Sequence, residues 1–121
     1  MSASALADVH FALGLALYVI GDQAGDNRAL QEAVLAYRAA LEENTRARVP
    51  LQWAMTENNL GNALAALGER ERGTARLEEA DTAYSAALEV FTEEAAPYWH
   101  DIAQRNLERA SALLAERRGG K

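Results

Sequence analysis

This chain repeats itself at an offset of 47 residues, and that periodicity limits what it can fold into more than any other feature. Gly14 is matched by Gly61. Around that pair stand Leu13/Leu60, Ala16/Ala63, Leu17/Leu64, Gly21/Gly68 and Leu30/Leu77. Further along come Glu32/Glu79, Ala33/Ala80, Tyr37/Tyr84, Ala40/Ala87, Leu41/Leu88 and Pro50/Pro97. A third copy opens with Asn59/Asn106, Leu60/Leu107, Ala63/Ala110 and Leu67/Leu114. The copies align without a gap. Such an offset points to stacked units, none of which buries its own apolar face without a neighbour.

Each unit parses into two helices. Helix A starts just after a proline, and in the second unit it spans about Leu51 to Leu67. Gly68 is expected to stop it, because glycine takes up left-handed backbone without a Cβ penalty. The polar loop GERERG leads to Thr74, the expected N-cap of helix B, and GDQAGD leads to Asn27 in the same role. Leu77, Ala80, Ala83, Tyr84, Ala87 and Leu88 then recur at helical spacing. Helix B should run on toward Glu94 and yield before Pro97, since the residue before proline disfavours helical backbone. The fold class is therefore all-α, five helices in series. Repeat one covers about 4–50 and repeat two about 51–97; a capping helix follows at about 98–118, with a flexible tail at 119–121.

The stretch NNLGNALAALGE at 58–69 sharpens the packing argument. An interior glycine costs roughly 1 kcal/mol of helix propensity against alanine, so some contact must offset it. Gly61 and Ala63 are read as the small residues that let helix B approach, with Tyr84 filling the space.

Composition narrows the function classes. The chain is 50% hydrophobic and 25% charged, with two prolines, as suits a soluble helical protein. A net charge of −6 disfavours duplex nucleic acid or an anionic membrane as the main partner. No cysteine is present, which removes disulfides, zinc-thiolate sites and cysteine nucleophiles. The apolar run FALGLALYVIG is shorter than the roughly 20 residues a bilayer needs, and no basic segment precedes it. It reads as a buried helix of a cytoplasmic protein.

The order Leu60, Gly61, Ala63, Gly68, Ala80, Tyr84, Ala87, Pro97 resembles the tetratricopeptide repeat (TPR), in a long variant. Leu13, Gly14, Ala16, Gly21, Ala33, Tyr37, Ala40 and Pro50 carry the resemblance in the first unit. The unit is longer than the usual ~34 residues. Glu57 and Gln104 also stand where the pattern has a helix A aromatic. The resemblance implies a right-handed helix-hairpin solenoid whose A helices line a concave groove. It further implies a noncatalytic protein-interaction module without a cofactor.

The second face of helix A is where recognition would lie. In the second unit it carries Met55, Asn58, Asn62, Ala65 and Ala66; in the first, Phe11, Leu15, Tyr18 and Val19. In the third it carries Ile102, Arg105, Arg109, Ala112 and Leu113. Asn58, Asn62, Arg105 and Arg109 are thus the candidate peptide-binding residues. The gradient from apolar through amide to cationic suits a peptide or partner helix with an acidic or carboxylate end. Two plainer roles stay open: the asparagines as a solvated or locally bonded face, and the arginines as salt-bridge partners of Asp101 and Glu108.

Phe11, Leu15, Tyr18 and Val19 lie opposite Leu13, Leu17 and Ile20, so the first helix is apolar all round. A terminal helix of a stack has one flanking neighbour, so this face is expected to bind an apolar partner or a second copy of the chain. A structural self-assembly unit is accordingly the alternative reading. His10 and His100 lack metal-ligand spacing, and GDQAGDN lacks the ligand series of a calcium loop. Trp53 and Trp99, near the starts of two A helices, are expected to pack at the junction between units. The charges at Glu42, Glu43, Arg46, Arg48, Glu93 and Glu94 are expected to form a solvated face.

Overall fold

The computed structural model describes residues 2–119. They form α1 (Ala3–Ala24), α2 (Asn27–Glu43), α3 (Pro50–Arg70), α4 (Ala75–Val90) and α5 (Pro97–Gly119). The described residues contain no strand, and the protein is all-α. Among them each helix packs against its neighbours in the chain, and the other contacts join α1 to α3 and α3 to α5.

The helix ends follow local chemistry. Ser2 caps α1 by accepting the Ala5 N–H at 3.1 Å. The cap of α2 is Asp26, whose carboxylate accepts from the N–H groups of Arg28 and Ala29 at 3.0 and 3.2 Å. Asn27, the expected cap, is instead the first helical residue. A carboxylate at the preceding position also meets the positive end of the helix dipole. Thr74 stands at the cap position of α4 but makes no capping bond, and its hydroxyl leans toward Glu78. Pro50 and Pro97 open α3 and α5, where a missing N–H costs nothing. Helix α4 stops at Val90, short of Glu94, because Phe91 turns out of helical backbone and buries its ring. Thr92 then accepts the Ala95 N–H and holds the turn before Pro97. Gly119 belongs to α5, while residues 120 and 121 lie outside the described part.

Gly21 and Gly68 do not end their helices. Helix α1 continues to Ala24 and is capped by Gly25 at φ 69°; α3 continues to Arg70. Both glycines are close-approach points. A Cβ at Gly21 would lie 2.7 Å from Cγ of Leu30, and one at Gly68 2.7 Å from Cδ2 of Leu77. Gly14 and Gly61 meet Tyr37 and Tyr84 in the same way, at 2.7 and 2.5 Å from Cε1. The pairs α1–α2 and α3–α4 are therefore each drawn together at two points one heptad apart, one under a tyrosine ring and one under a leucine.

The main core joins Leu30, Val34 and Tyr37 to Leu60, Leu64, Leu67, Ala80, Tyr84 and Ala110. A second cluster packs Ala54, Ala87, Phe91 and Ala103 under Trp53 and Trp99, with Trp99 stacked on Phe91 at 5.7 Å. Both tryptophans thus pack where one unit meets the next. Arginines tie the corners. Arg70 donates to the carbonyls of Gly21 and Asp22 and to Asn27. Arg117, at the same offset, donates to the carbonyls of Gly68, Glu69 and Gly73.

Helix α1 departs from the expectation of a buried element, since only Ala7, Gly14 and Gly21 are buried in it. Its 22 residues are also long and apolar enough, by length and composition alone, to cross a membrane. The apolar run is a part of that helix and understates it.

Candidate functional site

Side chains from four helices converge on a polar pocket of about 290 Å³. Tyr18 and Asp22 come from α1, Asn62 and Glu69 from α3, Tyr84 from α4 and Arg109 from α5. Ala65 and Ala66 of α3 form its floor. The glycines explain this placement: with Tyr84 drawn over Gly61, its hydroxyl arrives at Asn62, donating to Oδ1 at 2.7 Å.

Asn62 and Arg109, both expected to bind a peptide, therefore meet in one site, and Tyr18, expected on the apolar partner face of the first helix, joins them in this polar pocket instead. Asn58 does not join them. It is 4% exposed and accepts a hydrogen bond from Asn106 Nδ2 at 3.2 Å, so it links α3 to α5 from inside. Its register as i−4 of Asn62 concealed a rotation of about 40° around the helix, enough to carry it into the interface. Arg105 is exposed and lies outside the pocket. Neither Arg105 nor Arg109 has an ion-pair partner among the described residues. Phe11 is half-buried, its ring edge-on to Tyr37 at 6.0 Å, whereas Leu15 and Val19 are exposed.

Asp22 and Glu69 were missed by the sequence reading. Both lie past the apolar stripe, within the last turns of α1 and α3, and the glycine at 68 placed the end of α3 too early. The repeat was the available signal, since 22 and 69 share the same offset.

Burial pushes the Tyr18 phenol above its ordinary value, and the Asp22 and Glu69 carboxylates add to the rise while Arg109 and Arg70 oppose it. Burial raises Tyr84 as well, with Tyr18 adding to it. Both hydroxyls are thus donors at neutral pH. The pocket offers two carboxylates as acceptors, one guanidinium and the free Asn62 amide protons as donors. This suits the backbone and charged ends of a peptide.

Elsewhere several charged groups are engaged. His10 contacts Glu43 at 2.8 Å, and His100 Nδ1 lies 2.9 Å from the Phe91 carbonyl oxygen. Arg48 bridges Ser4, Asn44 and the Glu43 carbonyl, and Arg46 pairs with Glu89 while lying 5.5 Å over Trp53. Glu42, Arg46, Arg48, Glu93 and Glu94 are exposed, as expected of a solvated face, and Arg46 and Arg48 also make the bonds that hold this corner. No family model, curated protein or solved structure matches the chain.

Proposed function

We propose that the protein is a noncatalytic interaction module of tetratricopeptide type, a helix-hairpin solenoid whose concave A-helix face binds a peptide or partner helix. The observation that carries the reading is the convergence of Tyr18, Asn62 and Arg109, from three successive A helices, on one polar pocket. The occupant presents an acidic group to Arg109. A donor, an amide or an ammonium, faces Asp22 and Glu69. The cationic end of the gradient is narrower than the sequence suggested, because Arg109 shares its pocket with two carboxylates.

A random peptide library displayed on phage and panned on the protein tests this. Selected peptides should carry an acidic residue and lose about tenfold in affinity, one charge-assisted hydrogen bond, against Arg109→Glu. Asn62→Leu should weaken them as well. Recovery of no peptide, or of peptides indifferent to both substitutions, would overturn the reading.

A further inference from the structure

The repeat allows one face to be compared in a covered and an uncovered copy. On α3, Leu60 and Leu67 are 6% and 0% exposed, because α2 packs over them. Their counterparts on α1, Leu13 and Ile20, are 48% and 54% exposed. Beside them on α2 stands Leu35, 65% exposed, where α4 has the polar Thr82. A depression of about 390 Å³ lined by Leu13, Leu17, Glu32, Leu35 and Ala36 occupies this face. One unit later the same positions, Leu60, Leu64, Glu79, Thr82 and Ala83, line a depression of about 220 Å³. Arg38 of α2 enters that second one.

The charges repeat the comparison. Arg38 donates to Glu79 at 2.6 Å, and Arg46, just past the end of α2, donates to Glu89 at 2.5 Å. The counterparts of those two acids are Glu32 and Glu42 on the outer side of α2. Both are exposed, and among the described residues neither has an ion-pair partner. The outer face of α1 and α2 therefore repeats the leucines and the two acids of the α3–α4 face without the helix that covers them.

We infer that this face docks an amphipathic helix of a partner protein. That helix carries a small and apolar stripe, one basic residue near its middle and a second just past its C-terminal end, which pair with Glu32 and Glu42. The required pattern is the one α2 shows to α3 and α4. A second copy of the chain does not supply it from a free surface, since Arg38 and Arg46 are already engaged. The other end of the molecule is closed differently: Glu108 and Ala115 of α5 stand where Gly61 and Gly68 would receive a further helix. An anionic lipid surface is disfavoured by Glu32 and Glu42 at the edge of the face and by the net charge of −6.

The probe is a fluorescent peptide with the sequence of residues 27–48, held helical by a lactam between positions 35 and 39, which point away from the covered side in α2. Titrated onto the whole protein, it should bind saturably by anisotropy. Glu32→Arg with Glu42→Arg should weaken it about tenfold or more, and a peptide with Arg38→Glu and Arg46→Glu should recover affinity on that variant. Leu13→Glu with Ile20→Glu should abolish binding with an unchanged helical circular dichroism spectrum. Four results would overturn the inference. One is the absence of saturable binding, and another is binding indifferent to the charge exchange. The third is a dimer in sedimentation that Leu13→Glu dissolves, which assigns the face to a second copy. The last is flotation with phosphatidylcholine–phosphatidylglycerol vesicles that depends on Leu13, which assigns it to lipid.

Discussion

Tyr84 donates its hydroxyl hydrogen to Asn62 Oδ1 at 2.7 Å, whereas Tyr37, its counterpart one unit earlier, has a buried hydroxyl with no hydrogen-bond partner. The position of Asn62 is taken by Leu15 in the first unit, which offers no acceptor. Burial pushes the Tyr37 phenol above its ordinary range, with Tyr18 adding to the rise and the Asn59 side chain opposing it, but no group stands in bonding geometry. Tyr84→Phe should therefore cost about 1 kcal/mol, the net worth of one such bond. Tyr37→Phe should be neutral or stabilise by up to ~1 kcal/mol, since it removes an unpaired buried polar atom. Urea unfolding of the two variants decides the matter, and equal losses would show that the hydroxyls are not inequivalent.

Gly61→Ala should destabilise, although alanine is the better helix former. Its Cβ would come within 2.5 Å of the Tyr84 ring, which is itself buried and cannot swing away. Overpacking of this kind costs about 1–3 kcal/mol, against a propensity gain of roughly 1 kcal/mol. The net loss should reach up to about 2 kcal/mol, and Gly61→Leu should abolish cooperative thermal unfolding. Most of the alanine penalty should vanish in a Tyr84→Leu background. Gly73→Ala, with nothing within 4 Å of its Cβ, serves as the neutral control.

What the sequence revealed and what it concealed have a common cause. The offset and the helical spacing report which residues share a face, so five helices and the shared face of Asn62 and Arg109 were legible, whereas Tyr18 was expected on an apolar partner face and lines the polar pocket. A glycine, however, looks the same at a helix end and under a packed ring. Gly68 reads as a stop because a polar loop follows it, although its spacing of seven from Gly61 already puts the two on one face. Asn58 was hidden for a different reason. Its partner Asn106 lies on α5, and periodicity within one helix does not report a contact made with another. The exposure of Leu13 and Ile20 was not foreseen, because periodicity equates them with a side of α3 that a neighbour covers, whereas that of Leu15 and Val19 was expected.

Arg117→Ala should loosen the last helix more than any other single surface change. Its guanidinium holds the carbonyls of Gly68, Glu69 and Gly73 together at the corner between α3 and α4. Bonds from a charged donor contribute about 1.5–3 kcal/mol each at best, and less where the partners are partly wet. A total loss of about 2 kcal/mol is expected, seen as faster hydrogen exchange confined to α5 and the preceding corner. Arg117→Lys should recover little, because an ammonium cannot span three carbonyls as a planar fork does.

Glu57 makes stability depend on pH. Burial lifts its carboxyl from the ordinary 4.5 to about 7, and it has no ion-pair partner among the described residues. A folded-state value above the unfolded one means that the native protein keeps the proton longer. Below about pH 4.5 both states are protonated and the residue contributes no penalty. As pH rises from there toward about 7 the unfolded chain ionises first, so stability falls, and above that range the penalty is complete. Solvent screens part of it because the side chain is only partly buried, leaving about 1–2 kcal/mol. Glu57→Gln should therefore raise stability over the wild type by that amount at pH 8 and leave it unchanged at pH 4. Paired urea unfolding curves at the two pH values measure the difference. A gain of equal size at both would trace the effect to packing and not to the charge.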